Sequence, residues 1–470
     1  MAQVSNQTEL QQALALSDPL IEITADFTIG TQINIAYTVT IQSPSPAGRR
    51  ALTRLAGYTG VMFFVGAGGS LTVSDLILDG NKGATPNAQP VIQTAASLIL
   101  DNTTVQNNAS AGNGGGIATT SASAVCSLVN NAIVQNCESQ DVGGGIFLFD
   151  ASTLAMTQSS VINNAASVGG GVFINTGAAA SAAQCFISGN TASGDGGGIF
   201  INGNAMLSGE GTTISGNTAL SGVGGGVFAN SQATVTMAGL TLADNSSVDG
   251  AGLFANGGSQ ITLTNGAIAG NTALGNGGGM FINGGASATL TNTPVAGNHA
   301  VDGAGIYANY GATLLCENGS FTGNIASNNG GGLLVGGSNI TLTDIVFREN
   351  QAENGAGLFL NSNSQLNTSN VQLQSNTADI NGGGLYINQA DLSLDGISFT
   401  VNSAAFGCGI FVNINSALTY TNGTVGENTA TDSGGGIYVN AGSSASLSGI
   451  PVFRNSAVAD GGGIFFNVEA

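Results

Sequence analysis

Few residues of this 470-residue chain could do chemistry, and they are widely dispersed: 26 Asp and Glu, six Lys and Arg, one His and five Cys. Two or three carboxylates converging on a glycosidic bond would make a hydrolase; calcium-binding acids with a basic proton acceptor would make a polysaccharide lyase. Asp195, Asp249, Asp302 and Asp460 each stand immediately before a glycine. Val223 and Asn276 occupy the intervening repeats. The first three acids should therefore lie two turns apart, about 9.6 Å if turns stack like parallel strands, which is too dispersed for a tight metal cluster. Asp before Gly is also ordinary turn chemistry, interchangeable with Asn. Asn113, Asn276, Asn329, Asn354 and Asn381 hold the same position. In the repeat region the arginines are Arg348 and Arg454, and Glu349 and Glu353 stand ready to neutralise the first. Cys126, Cys137, Cys185, Cys316 and Cys408 are odd in number and irregularly spaced, which argues against a disulfide framework. With the lone His299 they form no zinc pattern. The sequence thus assigns no catalytic residue, metal ligand or cofactor.

Composition narrows the partners. A net charge of -20 repels phosphate backbones, and no basic stripe is present to neutralise them, so nucleic acid is excluded. Hydrophobic residues make up 42% and charged residues only 7% of the chain. No apolar run reaches the roughly 18 residues that span a bilayer, and MAQVSNQTEL lacks the regions of a secretory signal. The ending GGGIFFNVEA falls inside a repeat and reads as a segment of a longer polypeptide.

The elements that must position these residues are set by a repeat. Gly-Gly-Gly or a close variant begins at 114, 143, 169, 196, 224, 250, 277, 303, 330, 355, 382, 407, 434 and 461. Such a period means a one-dimensional array in which each unit packs on its neighbours. In the unit from 224 to 250, runs of Val, Leu, Thr and Phe alternate with Gly, Asn and Ser, and no stretch carries a helical period. Three strands are predicted there, at 226–230, about 233–237 and about 240–242. Three strands and three bends in about 27 residues is one coil of a right-handed, single-stranded parallel β-helix. About 17 coils are expected in all, a rod of roughly 80 Å. Residues 108–470 form the regular coils, 21–107 irregular ones, and 1–20 an N-terminal cap. In that cap Asn6 and Glu9 have capping-box spacing before an amphipathic helix.

Stacking places equivalent residues in files. Asn follows the first glycine by six residues at 175, 202, 230, 256, 283, 309, 361, 388, 413, 440 and 467, marking a bend. A second Asn precedes the glycines, at Asn108, Asn136 and Asn164 and then as a ladder of Asn190, Asn217, Asn245, Asn271, Asn298, Asn324, Asn350, Asn376, Asn402, Asn428 and Asn455. Asn tolerates the left-handed conformation of sharp corners, and stacked amides can hydrogen-bond along a ladder. Within the glycine strand, aliphatic residues three and five positions after the first glycine share the inward face. The residue between them should point outward: Phe147, Phe173, Phe200, Phe228, Phe254, Phe281, Tyr307, Phe359, Tyr386, Phe411, Tyr438 and Phe465. An outward aromatic stripe exceeds the apolar patch that monomers tolerate, which makes it the candidate binding or assembly face. The plainer alternative is that the rings stack on one another and hold the coils together.

The glycine clusters, together with FTGN (321–324), FREN (347–350) and FTVN (399–402), resemble the paired GGAI and FxxN repeats of the chlamydial polymorphic outer membrane proteins. More broadly they are similar to bacterial surface β-helix repeats and autotransporter passengers. The resemblance covers about residues 100–470. It implies an all-β solenoid at the cell surface or outside the cell, a non-catalytic adhesion or structural rod. Its partners would be a host or cell-surface glycan or protein, or further copies in a fibre. A self-assembling filament subunit and a polysaccharide lyase or hydrolase of pectate-lyase-like fold are the alternatives. Ice binding fits poorly, because the outward file of the second strand varies among Thr, Ser, Asn and Ala.

Overall fold

The computed structural model describes residues 1–44 and 48–467. It is a right-handed parallel β-solenoid of about 16 turns with one short helix. By compactness the chain divides into Met1–Met237 and Ala238–Ala470.

Most regular coils carry four strands where the sequence pattern suggested three. In the coil that starts at Gly196 they are Ile199–Ile201, Met206–Glu210, Thr213–Ser215 and Thr218–Ala219. The fourth has only two residues, too short to show a period of two. The strands pair in parallel, as where Ile199, Phe200 and Ile201 lie beside Val227, Phe228 and Ala229, and the register shifts in the short fourth strands near Asn354, Asn381 and Phe406. In three coils of the second unit the middle two strands fuse into ten-residue strands, Thr313–Thr322, Asn339–Arg348 and Gln365–Gln374. Their bends survive as single left-handed residues, Asn318, Asp344 and Asn370.

The cap differs in one respect from expectation. The helix Gln7–Ala15 is capped by the Asn6 side chain, whose Oδ1 accepts from Glu9 N at 3.0 Å. Glu9 Oε2 in turn accepts from Ser5 N at 2.7 Å, and that bond holds the Glu9 carboxyl below its ordinary range. Leu10 and Ala13 are buried beneath the helix. A strand, Ala2–Val4, precedes it and pairs with Leu20–Ile23, so the chain enters through the sheet before it caps it.

The Asn ladder is internal. Asn350 is fully buried, and its Nδ2 donates to Phe321 O at 2.8 Å and to Asn376 Oδ1 at 2.9 Å. Its Oδ1 accepts from Asn324 N at 3.1 Å and from Asn324 Nδ2 at 2.9 Å. Every polar atom of the amide is satisfied, which is what makes a buried amide tolerable. The same set recurs at Asn376 and Asn402. The left-handed residue is not the ladder Asn but the one before it, for example Gly189, Gly216, Asp244 and Glu349. Asn136 belongs to that preceding file, with φ of 53°, and Cys137 takes the ladder position, its N–H donating to Asn164 Oδ1 at 3.0 Å.

Glycine is required at two points of each cluster. The first residue is left-handed, with φ of 67° at Gly196, and a Cβ there would stand 2.8 Å from Phe200 Cβ. At the third, Gly198, a Cβ would stand 3.1 Å from the Asn217 amide and 2.6 Å from Gly226 O. The cluster thus makes room for a ring on one side and a ladder amide on the other.

Asn324→Ala is expected to strand buried partners in both adjoining coils and lower the unfolding free energy by about 3 kcal/mol. Asn388→Ala, in the half-buried corner file, should cost under about 1 kcal/mol, because water can replace the lost bond. Urea unfolding followed by circular dichroism measures both; equal costs would show that burial does not set the value of the ladder.

Candidate functional site

The aromatic file lies on the face opposite the inward aliphatics, but it is not an exposed stripe. Phe147, Phe173, Phe200 and Phe228 are at most 9% exposed, as are Phe254, Phe281, Phe359, Tyr386, Phe411 and Tyr438; Tyr307 and Phe465 are half-buried. In-register pairing sets each ring on the next. Centroids lie 4.9 Å apart for Phe173 and Phe200, 4.8 Å for Phe281 and Tyr307, and 4.7 Å for Phe359 and Tyr386. Where Leu334 interrupts the file, it joins the same cluster with Phe359, Tyr386, Phe411 and Tyr438. At Tyr438 the corner before the glycines covers the ring from another side. Phe406 packs edge-on against Tyr438 at 5.7 Å, and the Tyr307 hydroxyl, pushed up by burial, also feels Asp302. Period two gave the sidedness correctly; exposure depended on neighbours that a single repeat does not contain. The Tyr386 hydroxyl accepts from Asn413 Nδ2 at 2.6 Å.

The recurrent acids are also engaged. Asp195 Oδ1 accepts from Val223 N at 2.9 Å, and Asp249 Oδ1 accepts from Asn276 N at 2.6 Å. Asp302 Oδ1 takes both the backbone N–H and Nδ2 of Asn329, each at 3.0 Å. Further along the same file the partners are amides, Asn354 Nδ2 donating to Asn329 Oδ1 at 3.2 Å and Asn381 Nδ2 to Asn354 Oδ1 at 2.8 Å. Acid and amide are interchangeable there because the job is to accept a hydrogen bond from the next coil. Arg348 pairs with Glu349 at 2.9 Å and Arg454 with Glu427 at 3.3 Å, both in solvent. Among the described residues no three His, Cys, Asp or Glu side chains are grouped to hold a metal ion.

All five thiols are free and buried. Burial pushes Cys126, Cys137 and Cys408 up to about 12, and raises Cys185 and Cys316 in the same direction. A thiol that stays protonated is neither a nucleophile nor a metal ligand.

One charged group escaped the sequence reading. Arg54 is fully buried without a carboxylate partner among the described residues, and burial lowers it to about 10. Nη1 donates to Gly60 O, while Nη2 donates to Gln89 O at 2.9 Å and to Asn108 Oδ1 at 3.2 Å. The signal was present in RALTR, whose alternation places Arg54 on the inward face with Leu52.

Residues 197–372 and 278–450 match the family described as right handed beta helix region. These spans cover more than half of the chain, which therefore belongs to that family. No curated protein matches it.

Two outcomes follow. Phe281→Ser is expected to destabilise the fold by about 3 kcal/mol, as truncation of a buried ring does; urea unfolding that leaves the midpoint unchanged would return the ladder to the surface. Because folded thiols ionise well above their ordinary value of 9.0, the unfolded state alone releases protons as pH passes 9. The thiols should thus leave stability level between pH 7 and pH 9 and lower it above pH 9, and Cys126→Ala should flatten that fall in urea midpoints measured between pH 7 and pH 11.

Proposed function

We propose that the chain is a non-catalytic, extracellular or cell-surface β-helical scaffold whose outer faces serve adhesion or assembly. The observation that carries this reading is the use of the recurrent acids: each of Asp195, Asp249 and Asp302 accepts a backbone N–H from the following coil. A general acid or base is held within reach of a scissile bond, whereas each of these carboxylates has its Oδ1 committed to the next coil, a role that Asn fills equally well in the same file.

The repetitive surface available for contact is the outer face of the second strand of each coil, which in the fused coils is the first half of the ten-residue strand. Thr262 lies beside Thr289 and Thr264 beside Thr291; further on Thr341 lies beside Asn367 and Thr343 beside Ser369. Hydroxyls and amides dominate there, which suits contact with polar, uncharged surfaces. The likeness of the glycine and FxxN motifs to surface β-helix repeats supports the extracellular placement. The fold also houses enzymes, so the reading stands on these residues and not on the fold.

Incubation with polygalacturonate, alginate and neutral β-linked polysaccharides is expected to yield neither new reducing ends nor the ultraviolet absorbance of an unsaturated product. Turnover that is lost in Asp249→Asn or Asp302→Asn would replace the scaffold reading by an enzymatic one.

A further inference from the structure

We propose that a trough on the first unit, centred on Gln158, Gln184 and Phe186, binds a neutral, extended oligosaccharide. The trough encloses about 590 Å³ and follows one corner through four successive coils, at Asn131, Gln158, Gln184 and Gly211. At the parallel stacking distance those four positions span about 14 Å, room for a short chain of sugar rings rather than one small molecule.

Its chemistry departs from the repeat. Elsewhere this left-handed corner position is Gly, Asn or Asp, as at Asn102, Gly239, Asn265 and Asp344, residues that accept φ above zero at little cost. Gln158 and Gln184 occupy it at φ of 48° and 55°. Gln gains nothing locally from that conformation, and two such residues at adjacent corners set this stretch of the file apart from the rest of it. The longer side chains reach over the corner, where Gln158 Nε2 donates to Gln184 Oε1 at 3.1 Å. That bond orients both amides and leaves Gln158 Oε1 as an acceptor and Gln184 Nε2 as a donor without protein partners among the described residues.

Beside them stands Phe186, 57% exposed, in a file whose neighbours are Ser160 and Thr213. Unlike the ladder rings it has no aromatic neighbour in the adjoining coils to cover it. An exposed ring flanked by oriented amides offers an apolar platform for the C–H face of a pyranose and hydrogen-bond partners for its hydroxyls. No charged side chain lines the trough in a chain of net charge -20. The ligand assigned is accordingly uncharged.

The inference rests on the scaffold reading above, and the experiment separates the two. Isothermal titration of the whole chain with the hexasaccharides of β-1,4-linked glucose, xylose and N-acetylglucosamine is expected to give saturable binding of at least one. Phe186→Ala and Gln184→Gly should each weaken that binding at least about tenfold. The second variant keeps the left-handed corner in a residue that favours it, so loss of fold cannot account for its effect. Three results would overturn the site: no saturation by any of the three, equal binding by wild type and both variants, or tighter binding of polygalacturonate than of the neutral probes. Self-association in sedimentation velocity that Phe186→Ala abolishes, without saccharide binding, would likewise reassign the ring to a second copy of this chain. New reducing ends from a bound hexasaccharide would overturn the scaffold reading and leave the site in place.

Discussion

The buried amide of one Asn per coil is the interaction on which the rest depends. A primary amide has two donors and an acceptor oxygen with two lone pairs, and inside an apolar core each must be met. At Asn350 all are, by a carbonyl of the preceding coil and by the ladder Asn on either side. The geometry works only if successive coils are in register. A slip by one residue would carry the neighbouring ladder amide out of reach and leave several buried groups unpaired, a cost of some kcal/mol in each coil. The hydrophobic files alone specify register less sharply, because Ile, Val and Leu can replace one another with modest penalty. The amide ladder therefore does for the solenoid what a single buried Asn does for a coiled coil: it fixes alignment.

The ladder also explains why glycine and aromatic recur together. The third glycine of each cluster leaves space for the ladder amide, and the first bends the chain so that the ring of the same strand can lie against it. Once the coils are aligned, successive rings lie about 5 Å apart, some stacked, as Phe281 on Tyr307 and Phe411 on Tyr438, and some edge-on, as Phe200 to Phe228 and Phe254 to Phe281. Where the aromatic is missing, at Leu334, the file stays closed with an aliphatic side chain. Where the ladder Asn is missing, at Cys137, its backbone N–H still reaches the next Asn, and the preceding Asn108 turns to other partners. One of these partners is Arg54, whose guanidinium satisfies the Asn108 oxygen from inside the irregular coils. A buried cation is a costly way to do so, and the carbonyls of Gly60 and Gln89 share the charge.

What the sequence made legible follows from the repeat itself. A fixed phase identifies the solenoid, the inward aliphatic positions and the two Asn files, because each appears many times and chance variation averages out. Exposure of the aromatic file was not legible, since period two reports which side of a strand a residue faces and says nothing about what lies across that side. The left-handed residue was displaced by one position, from Asn to its predecessor, because Asn suits both a turn and a ladder and its neighbours in the adjoining coils decide which. The two-residue strand around Thr218 was too short to show any period. Arg54 was legible in principle from the alternation of RALTR, but an inward arginine runs against the ordinary burial of that side chain.

The same logic separates architecture from recognition. A residue type that recurs in every coil is accounted for when it bonds to its own copy above and below, as the ladder amides, the rings and the corner acids do. Such files are consumed by the fold and have little left to offer a partner. Recognition is then carried by departures from the repeat, where a side chain is costlier to its own coil than the consensus residue would be. Gln158 and Gln184 in left-handed corners and Phe186 without a stacking neighbour are departures of this kind, and they adjoin one another in consecutive coils. Cys408 and Cys137 depart from the consensus too, but they are buried and fill space, so they burden nothing.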